Sequence, residues 1–325
     1  MNDLRSPPTV REQFFQAPVF YLTHATFLFF TTRIPLFPPK KHIRIVCISD
    51  THNHISDVPD GDVLIHAGDL SHSGTVPELQ IQIGWLDSLP HKTKIVIAGN
   101  HDSWLDSDVR ARLDETRAAG FVDWKSLIYL EDSSRQINIP FPDEMVTRST
   151  TVYGSPWVPK CGGSDFAFQY NRFESRSRWR NKIPAQTEVL ITHTPPRYYQ
   201  DAAYGRTHIG CDGLLEELWR MKPSLHVFGH VHSGRGKIVL KWDATQAVYE
   251  RACARNRENR TGGMVELLNI FAWVDFFLVL ILGGWSLAKS WIGWDRAEKR
   301  TVLINAAMWY DEAGNQIAPI QVVDI

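Results

Sequence analysis

Short apolar runs, each closing on a small or polar cluster, recur along the chain from residue 42. They are HIRIVCISD, DVLIHAGDL, KIVIAGNHD, TVYGSPW, EVLITHTPP, LHVFGHVHSG and, late in the chain, RTVLINAAMWYD. Runs of this length, rich in Val and Ile, predict buried strands. Between several of them lie the helical spans PELQIQIGWLDSL, SDVRARLDETRAAG and GLLEELWRM. Strands alternating with helices predict an α/β layered domain, and in such sheets ligands gather beyond the carboxyl ends of the strands.

Two stretches break that pattern. Residues 1 to about 41 hold the aromatic-rich segment FFQAPVFYLTHATFLFF, interrupted by Pro18, Thr23 and His24 and closed by IPLFPPKK. It is too short and too polar for a membrane span, and an aromatic helix packed on the domain or lying at a membrane surface is expected. The second break is an insertion at about 242–298, where the charged YERACARNRENR leads into MVELLNIFAWVDFFLVLILGGWSLAKSWIGW. From Leu267 to Ala288 the chain is long and apolar enough to cross a bilayer. Asp275 near its middle would cost about 2.5–3.5 kcal/mol, which the surrounding aliphatic and Phe residues can offset. A single crossing, however, would part RTVLINAAM from the other strands. An interfacial helix or a hairpin bent at Gly283-Gly284 is therefore expected. Trp273, Trp285, Trp291 and Trp294, with Arg251, Arg255, Arg257 and Arg260 upstream, suit a lipid headgroup surface. A helix packed on the domain or on a second copy through 264–294 is the alternative.

The strand ends carry the chemistry. Asp50 and His52 follow the first run, and Asp69 follows the second. Asn100, His101 and Asp102 follow the third, His193 the fifth, and His230 and His232 the sixth. Imidazole, carboxylate and amide oxygen are ligands that Mn, Fe and Zn accept at catalytic two-metal sites. Residues i and i+2 of an extended segment face the same way, so each Asp-x-His or His-x-His pair can converge on one point. Gly68, Gly99 and Gly229 precede these residues and permit close backbone approach.

The ordered set D-x-H, G-D, G-N-H-D, H and G-H-x-H resembles that of the calcineurin-like metallophosphoesterase superfamily. In detail, CISDTHN, KIVIAGNHD, GSPW, THTPP, GCDGLLEEL, PSLHVFGHVHSG and INAA are similar to the metallophosphoesterase-domain-containing subgroup, related to class III cyclic-nucleotide phosphodiesterases. The resemblance covers most of residues 42–240 and the late strand. It implies a layered α/β/β/α sandwich over 42–325, with the apolar helical insertion before its last strand and residues 1–41 as an extension. It also implies two divalent metal ions (Mn, Fe or Zn). Asp50, His52 and His232 would hold the first; Asn100, His193 and His230 would hold the second; and Asp69 would bridge them. His101 would be the general acid, oriented by Asp102. Two cations about 3.5–4 Å apart can share a water and bring its pKa towards neutrality, giving a bridging hydroxide that attacks phosphorus. The expected substrate is a small phosphate ester, with a phosphodiester such as a cyclic nucleotide ahead of a phosphomonoester. The alternative is a catalytically weak metal-binding scaffold that recruits a partner or membrane.

Composition narrows the picture. A formal net charge of −1 at pH 7 argues against a nucleic-acid footprint. Cys47, Cys161, Cys211 and Cys253 are scattered without a C-x-x-C pair, which favours a reducing compartment, and no secretory signal stands at the start; a cytoplasmic, membrane-associated enzyme is expected. Of the remaining candidates, His54 and His72 read as loop histidines, His66 and His226 as residues of buried strands, and His208 as a weaker substrate contact. Arg197 and Arg206 read as exposed loop cations, and Cys47 and Cys211 as packing residues.

Overall fold

The computed structural model describes residues 9–35, 43–140, 147–203, 208–258, 262–295, 298–310 and 316–325. The chain divides into two compact units. One comprises residues 38–203, 208–237 and 303–325; the other comprises 1–37, 204–207 and 238–302.

The first unit is α/β. Its strands are β1 (Arg44–Ile48), β2 (Val63–Ala67), β3 (Thr93–Ile97), β4 (Ile128–Tyr129), β5 (Ser133–Pro140), β6 (Thr147–Ser155), β7 (Val158–Pro159), β8 (Gln169–Tyr170), β9 (Val189–Thr192) and β10 (Leu225–Phe228). The chain passes to the second unit along β11 (Gly236–Leu240), returns along β12 (Thr301–Asn305) and ends in β13 (Gln321–Asp324). One sheet has the order β13-β1-β2-β3-β4, and the other includes β12-β10-β9-β6-β5 in that order. β1, β2, β3 and β4 are parallel, as are β6, β9 and β10. This is why β2, β9 and β10 read as nearly continuous apolar runs, broken only by His66, Thr192 and His226: every residue of each is buried. The two sheets approach closely at Gly154, where an added Cβ would lie 2.5 Å from Leu130 and 2.8 Å from Ile97. On the outer side of the first sheet, the helix Val76–Ser88 packs Leu79, Ile83 and Leu86 against Val46, Ile48, Leu64 and Val96. A capping box between Thr75 and Glu78 opens that helix.

Two elements differ from the sequence pattern. SDVRARLDETRAAG forms two short helices, Ser107–Arg110 and Glu115–Ala118, rather than one, because Asp106 and Asp114 each cap a new start. RTVLINAAMWYD is not the final strand: β13 follows it and pairs antiparallel with β1, Arg44 opposite Asp324.

The second unit is helical. Pro18 splits the aromatic segment into Val10–Gln16 and Pro18–Thr31, and two longer helices follow at Ala244–Glu258 and Ile270–Trp291. Of the two alternatives, the hairpin bent at Gly283-Gly284 does not form, since one helix runs through both glycines. Gly283 instead lets the helix Pro18–Thr31 come close, because a Cβ there would sit 2.3 Å from the Phe30 ring. Asp275 is buried and paired with Arg251, at 2.6 and 2.9 Å, and with Arg255. Two of the four arginines expected at a headgroup surface are therefore engaged within the unit. Arg260, like Arg206, lies outside the described residues.

Candidate metal centre

The parallel strands deliver their carboxyl ends to one place. Asp50 stands two residues past β1, Asp69 two past β2, Asn100 three past β3, His193 one past β9 and His230 two past β10. The backbone turns sharply at these points: Asp50, His52, Asp69 and His230 adopt φ of 56°, 44°, 55° and 66°. Non-glycine residues held in the left-handed region cost about 1–3 kcal/mol each and cluster at functional sites. The loops are laced together by Asp50 N–H donating to Gly68 O at 2.9 Å and His52 N–H donating to Asp69 O at 3.2 Å. Two glycines leave room for the carboxylates, since a Cβ on Gly99 would lie 2.3 Å from Asp69 Oδ1 and one on Gly229 2.1 Å from Asp50 Oδ2.

Six of the seven expected ligands are joined by direct contacts. His193 Nε2 lies 3.4 Å from Asp69 Oδ2 and 3.1 Å from Asn100 Oδ1. His52 Nε2 lies 3.8 Å from the same Asp69 oxygen, and His232 Nε2 lies 3.3 Å from Asp50 Oδ1. The seventh, His230, has its ring 5.1 Å from that of His193, and its backbone N–H donates to both Asp50 oxygens at 3.0 and 3.1 Å. Asp50, His52 and His232 form one group able to hold a metal ion, and Asp50, Asp69 and His193 form another.

The donor arrangement fits a cation. His193 Nδ1 faces the Ala67 carbonyl at 2.8 Å, so Nδ1 carries a hydrogen and, in the neutral ring, the lone pair on Nε2 points at two oxygen acceptors. Lone pair against lone pair is repulsive unless a positive charge sits between them. Without a cation only a proton on Nε2 relieves that repulsion, and the titration behaviour shows how strongly the pocket demands positive charge. Burial opposes a charged His193, yet the Asp69 carboxylate wins and lifts it to about 9. Burial likewise pushes Asp69 and Asp50 up, but His193 beside the first and His232 beside the second hold both below the usual carboxylate range. His230 is lowered to about 3 by desolvation and by the nearby His193 charge, which outweigh Asp69 and Asp50, so it is a neutral imidazole at pH 7. His52 Nδ1 is also buried, with no hydrogen-bond partner among the described residues.

Asp102 departs from its expected role. Its carboxylate accepts from Gly99 N at 2.8 Å, Leu70 N at 3.2 Å, Ser71 N at 3.0 Å and Ser71 Oγ at 2.7 Å, tying two site loops together. Burial and the nearby Asp69 charge raise it to about 6, although these bonds pull the other way. The imidazole of His101 is held instead by the His72 carbonyl, which faces its Nδ1 at 2.8 Å. His72 is thus more than a loop histidine: its ring groups with those of His52 and His101 as a third set able to hold a metal ion. Its position three residues past Asp69 was the only signal in the sequence.

The other candidates divide. His66 and His226 are buried strand residues bonded to Thr51 Oγ1 at 3.0 Å and Thr192 Oγ1 at 2.8 Å. His54 stacks on Tyr310 with ring centres 4.1 Å apart. His208 Nδ1 lies 2.7 Å from the buried carboxylate of Asp201. Arg197 is not an exposed loop cation; it is buried, with Asp212 3.5 Å from its guanidinium. Cys47 is a buried free thiol, and Cys211 accepts from Tyr170 Oη at 3.0 Å and from Leu214 N at 3.3 Å. Asn305, in the INAA stretch, donates to Val231 O at 2.9 Å and so steadies the turn between His230 and His232.

Residues 43–234 match the family model for calcineurin-like phosphoesterases, more than half of the chain. A protein named metallophosphoesterase domain-containing protein 1, from Homo sapiens, is 35% identical over 67% of this chain and 68% of its own. A UPF0046 protein of Caenorhabditis elegans is 36% identical over 69% of this chain and 74% of its own. An Emericella nidulans protein named probable rhamnogalacturonate lyase C is 41% identical over 82% of this chain, which spans only 23% of that relative's length.

Proposed function

Because this chain belongs to the calcineurin-like phosphoesterase family, we propose that it hydrolyses small phosphate esters with divalent metal ions, acting on phosphodiesters such as a cyclic nucleotide first and phosphomonoesters next. The reading is carried by the convergence of Asp50, Asp69, His52, His193 and His232 into groups whose candidate ligand atoms lie within 4.8 Å of one another. Asp50, His52 and His232 would hold one ion, and Asn100, His193 and His230 the other. Asp69, whose Oδ2 faces both His52 and His193, stands between. Bound Mn, Fe or Zn would supply positive charge to the phosphate oxygens and acidify the attacking water. The amide of Asn100 contributes a ligand without another negative charge.

His101 completes the chemistry. Its Nδ1 hydrogen is committed to the His72 carbonyl, so Nε2 is the nitrogen left facing substrate; in the imidazolium form it would give its proton to the departing oxygen as the ester P–O bond breaks, leaving the neutral ring. The near-neutral net charge fits a small ester better than a nucleic acid.

Turnover of bis-p-nitrophenyl phosphate with added Mn²⁺ tests the proposal. Asp69→Asn should lower kcat by roughly 10³-fold or more, and His101→Ala by about 10²–10⁴-fold. Metal-loaded protein that binds two ions yet hydrolyses no phosphate ester would leave the scaffold reading in its place.

A further inference from the structure

The helix Ile270–Trp291 has its polarity reversed. Its buried positions are Ala272, Asp275, Val279, Gly283, Ser286 and Ser290. Its outward positions include Ile270, Phe271, Phe277, Ile281, Trp285 and Trp291, all at least half exposed. A helix of a water-soluble unit places its polar stripe outside and its apolar stripe inside; here the acid and the hydroxyls are inside and the large apolar side chains outside.

The interior is built as helices in lipid are. Small residues let the helices pack closely, as Gly283 does by admitting the Phe30 ring, and polar side chains are closed off within the unit. Thr23, Thr31 and Ser290 return their hydroxyls to the carbonyls of Val19, Phe27 and Ser286 at 2.8, 3.0 and 3.0 Å. Asp275 is neutralised by Arg251 and Arg255, and Asp295 by Lys241 and Arg300.

We infer that the helical unit is a monotopic membrane anchor, seated with the outward face of Ile270–Trp291 in the hydrocarbon of one leaflet. Charge complementarity selects the occupant. Among the exposed positions of this helix none is charged, and the indole of tryptophan is the only hydrogen-bonding side chain. A second copy or another protein would meet it with roughly one hydrogen bond per 100–200 Å² of interface, and the stripe has almost nothing to answer with. Lipid tails need no answer. At 22 residues the helix is about 33 Å long. Met264, Val265 and Leu268 extend the exposed apolar surface before it, and Trp294 extends it beyond. Indoles at 285, 291 and 294 suit the headgroup boundary. The chain enters one leaflet without crossing, because Leu303–Asn305 returns to the sheet that holds β10.

The test uses the full chain and sedimentation with phosphatidylcholine vesicles, which have no net charge. Wild type should bind them, and lipids brominated in their tails should quench tryptophan fluorescence. Phe277→Asp with Ile281→Asp should weaken binding roughly ten-fold or more while p-nitrophenyl ester turnover stays unchanged. The helical circular dichroism signal of that variant reports whether the unit is folded. Trp291→Ser with Trp294→Ser, at the end of the stripe, should weaken binding by a smaller factor. Three results would each overturn the inference: a wild-type monomer that ignores vesicles, a stable soluble dimer that does the same, or binding that requires added phosphatidylserine and survives the aspartate pair. None depends on whether the metal centre is catalytic.

Discussion

Both units bury carboxylates, and they treat them oppositely. In the helical unit Asp275 and Asp295 are closed into ion pairs: two arginines on the first, a lysine, an arginine and the Ser290 hydroxyl on the second. In the α/β unit Asp50 and Asp69 are as deeply buried, but no lysine or arginine pairs with them among the described residues; their side-chain oxygens face the imidazoles of His232 and His193. A buried charge is tolerated only when it is paired or coordinates a metal. The helical unit takes the first solution with its own residues. The α/β unit leaves the second open, which makes one pair of carboxylates structural and the other a cradle for something brought from solution.

Metal removal should separate the two most sharply. Chelation with EDTA is expected to abolish ester turnover and to lower the melting temperature of the α/β unit. A ligand held at a hundred times its Kd contributes about 2.7 kcal/mol, and that amount goes with it. The helical unit, whose carboxylates are already neutralised, should keep its helix signal in the same titration. Circular dichroism followed at each transition checks this, and a metal-dependent shift of the helical unit alone would invert the comparison.

Gly229→Ala comes next. The new Cβ would fall 2.1 Å from Asp50 Oδ2, so the carboxylate must move or the loop must shift. A displacement near 1 Å at a reacting site costs about 10²-fold in rate, and overpacking adds about 1–3 kcal/mol of destabilisation. Kinetics and a urea melt on one preparation would show both. An alanine there that leaves turnover intact would mean that Asp50 need not be held where it stands.

Asp275→Asn is the mirror experiment, a stability change without a catalytic one. It leaves Arg251 and Arg255 facing an amide. Because Arg251 is half exposed, the loss should be about 1–3 kcal/mol, below that of a fully buried pair. Turnover per folded molecule should not change.

How much of this was legible in the sequence follows the same division. The α/β layers and the convergence of the strand ends could be read because each ligand sits within a few residues of a strand whose apolar run is unmistakable, and because Gly68, Gly99 and Gly229 flag the turns. The role of Asp102 could not. A residue beside His101 in the chain need not face it in space, and here it serves the backbone of Gly99, Leu70 and Ser71. The holding of His101 by His72 was invisible for the same reason, since a carbonyl leaves no trace in a residue's identity. β13 was missed because its four residues carry too short an alternation to stand out. In the helical unit the apolar run announced a helix, but of the two forms it allowed, a continuous helix and a hairpin bent at Gly283-Gly284, the structure has the first. Glycine marks close approach as readily as a turn, and only the partner ring of Phe30 decides between them.

His226 offers the finest division, a buried ionisable group that is neither paired with a charge nor open to a cation. It lies on β10 with Nε2 at 2.8 Å from Thr192 Oγ1, and burial lowers it from 6.5 to about 3. The unfolded chain therefore binds a proton there between those limits while the folded chain does not. Stability is complete above the unfolded value and is lost as pH falls from 6.5 towards 3. At pH 5 the loss from this residue should be about 2 kcal/mol, each unit of difference being worth about 1.4 kcal/mol. His226→Gln keeps a hydrogen-bonding side chain and cannot titrate. It should begin less stable at pH 7 from imperfect packing, yet lose less between pH 7 and 5 than wild type, by about that amount. Urea melts at the two pH values measure the difference. An unchanged acid slope would place the sensitivity elsewhere, first on His66, which is buried on β2 and lowered by the same cause.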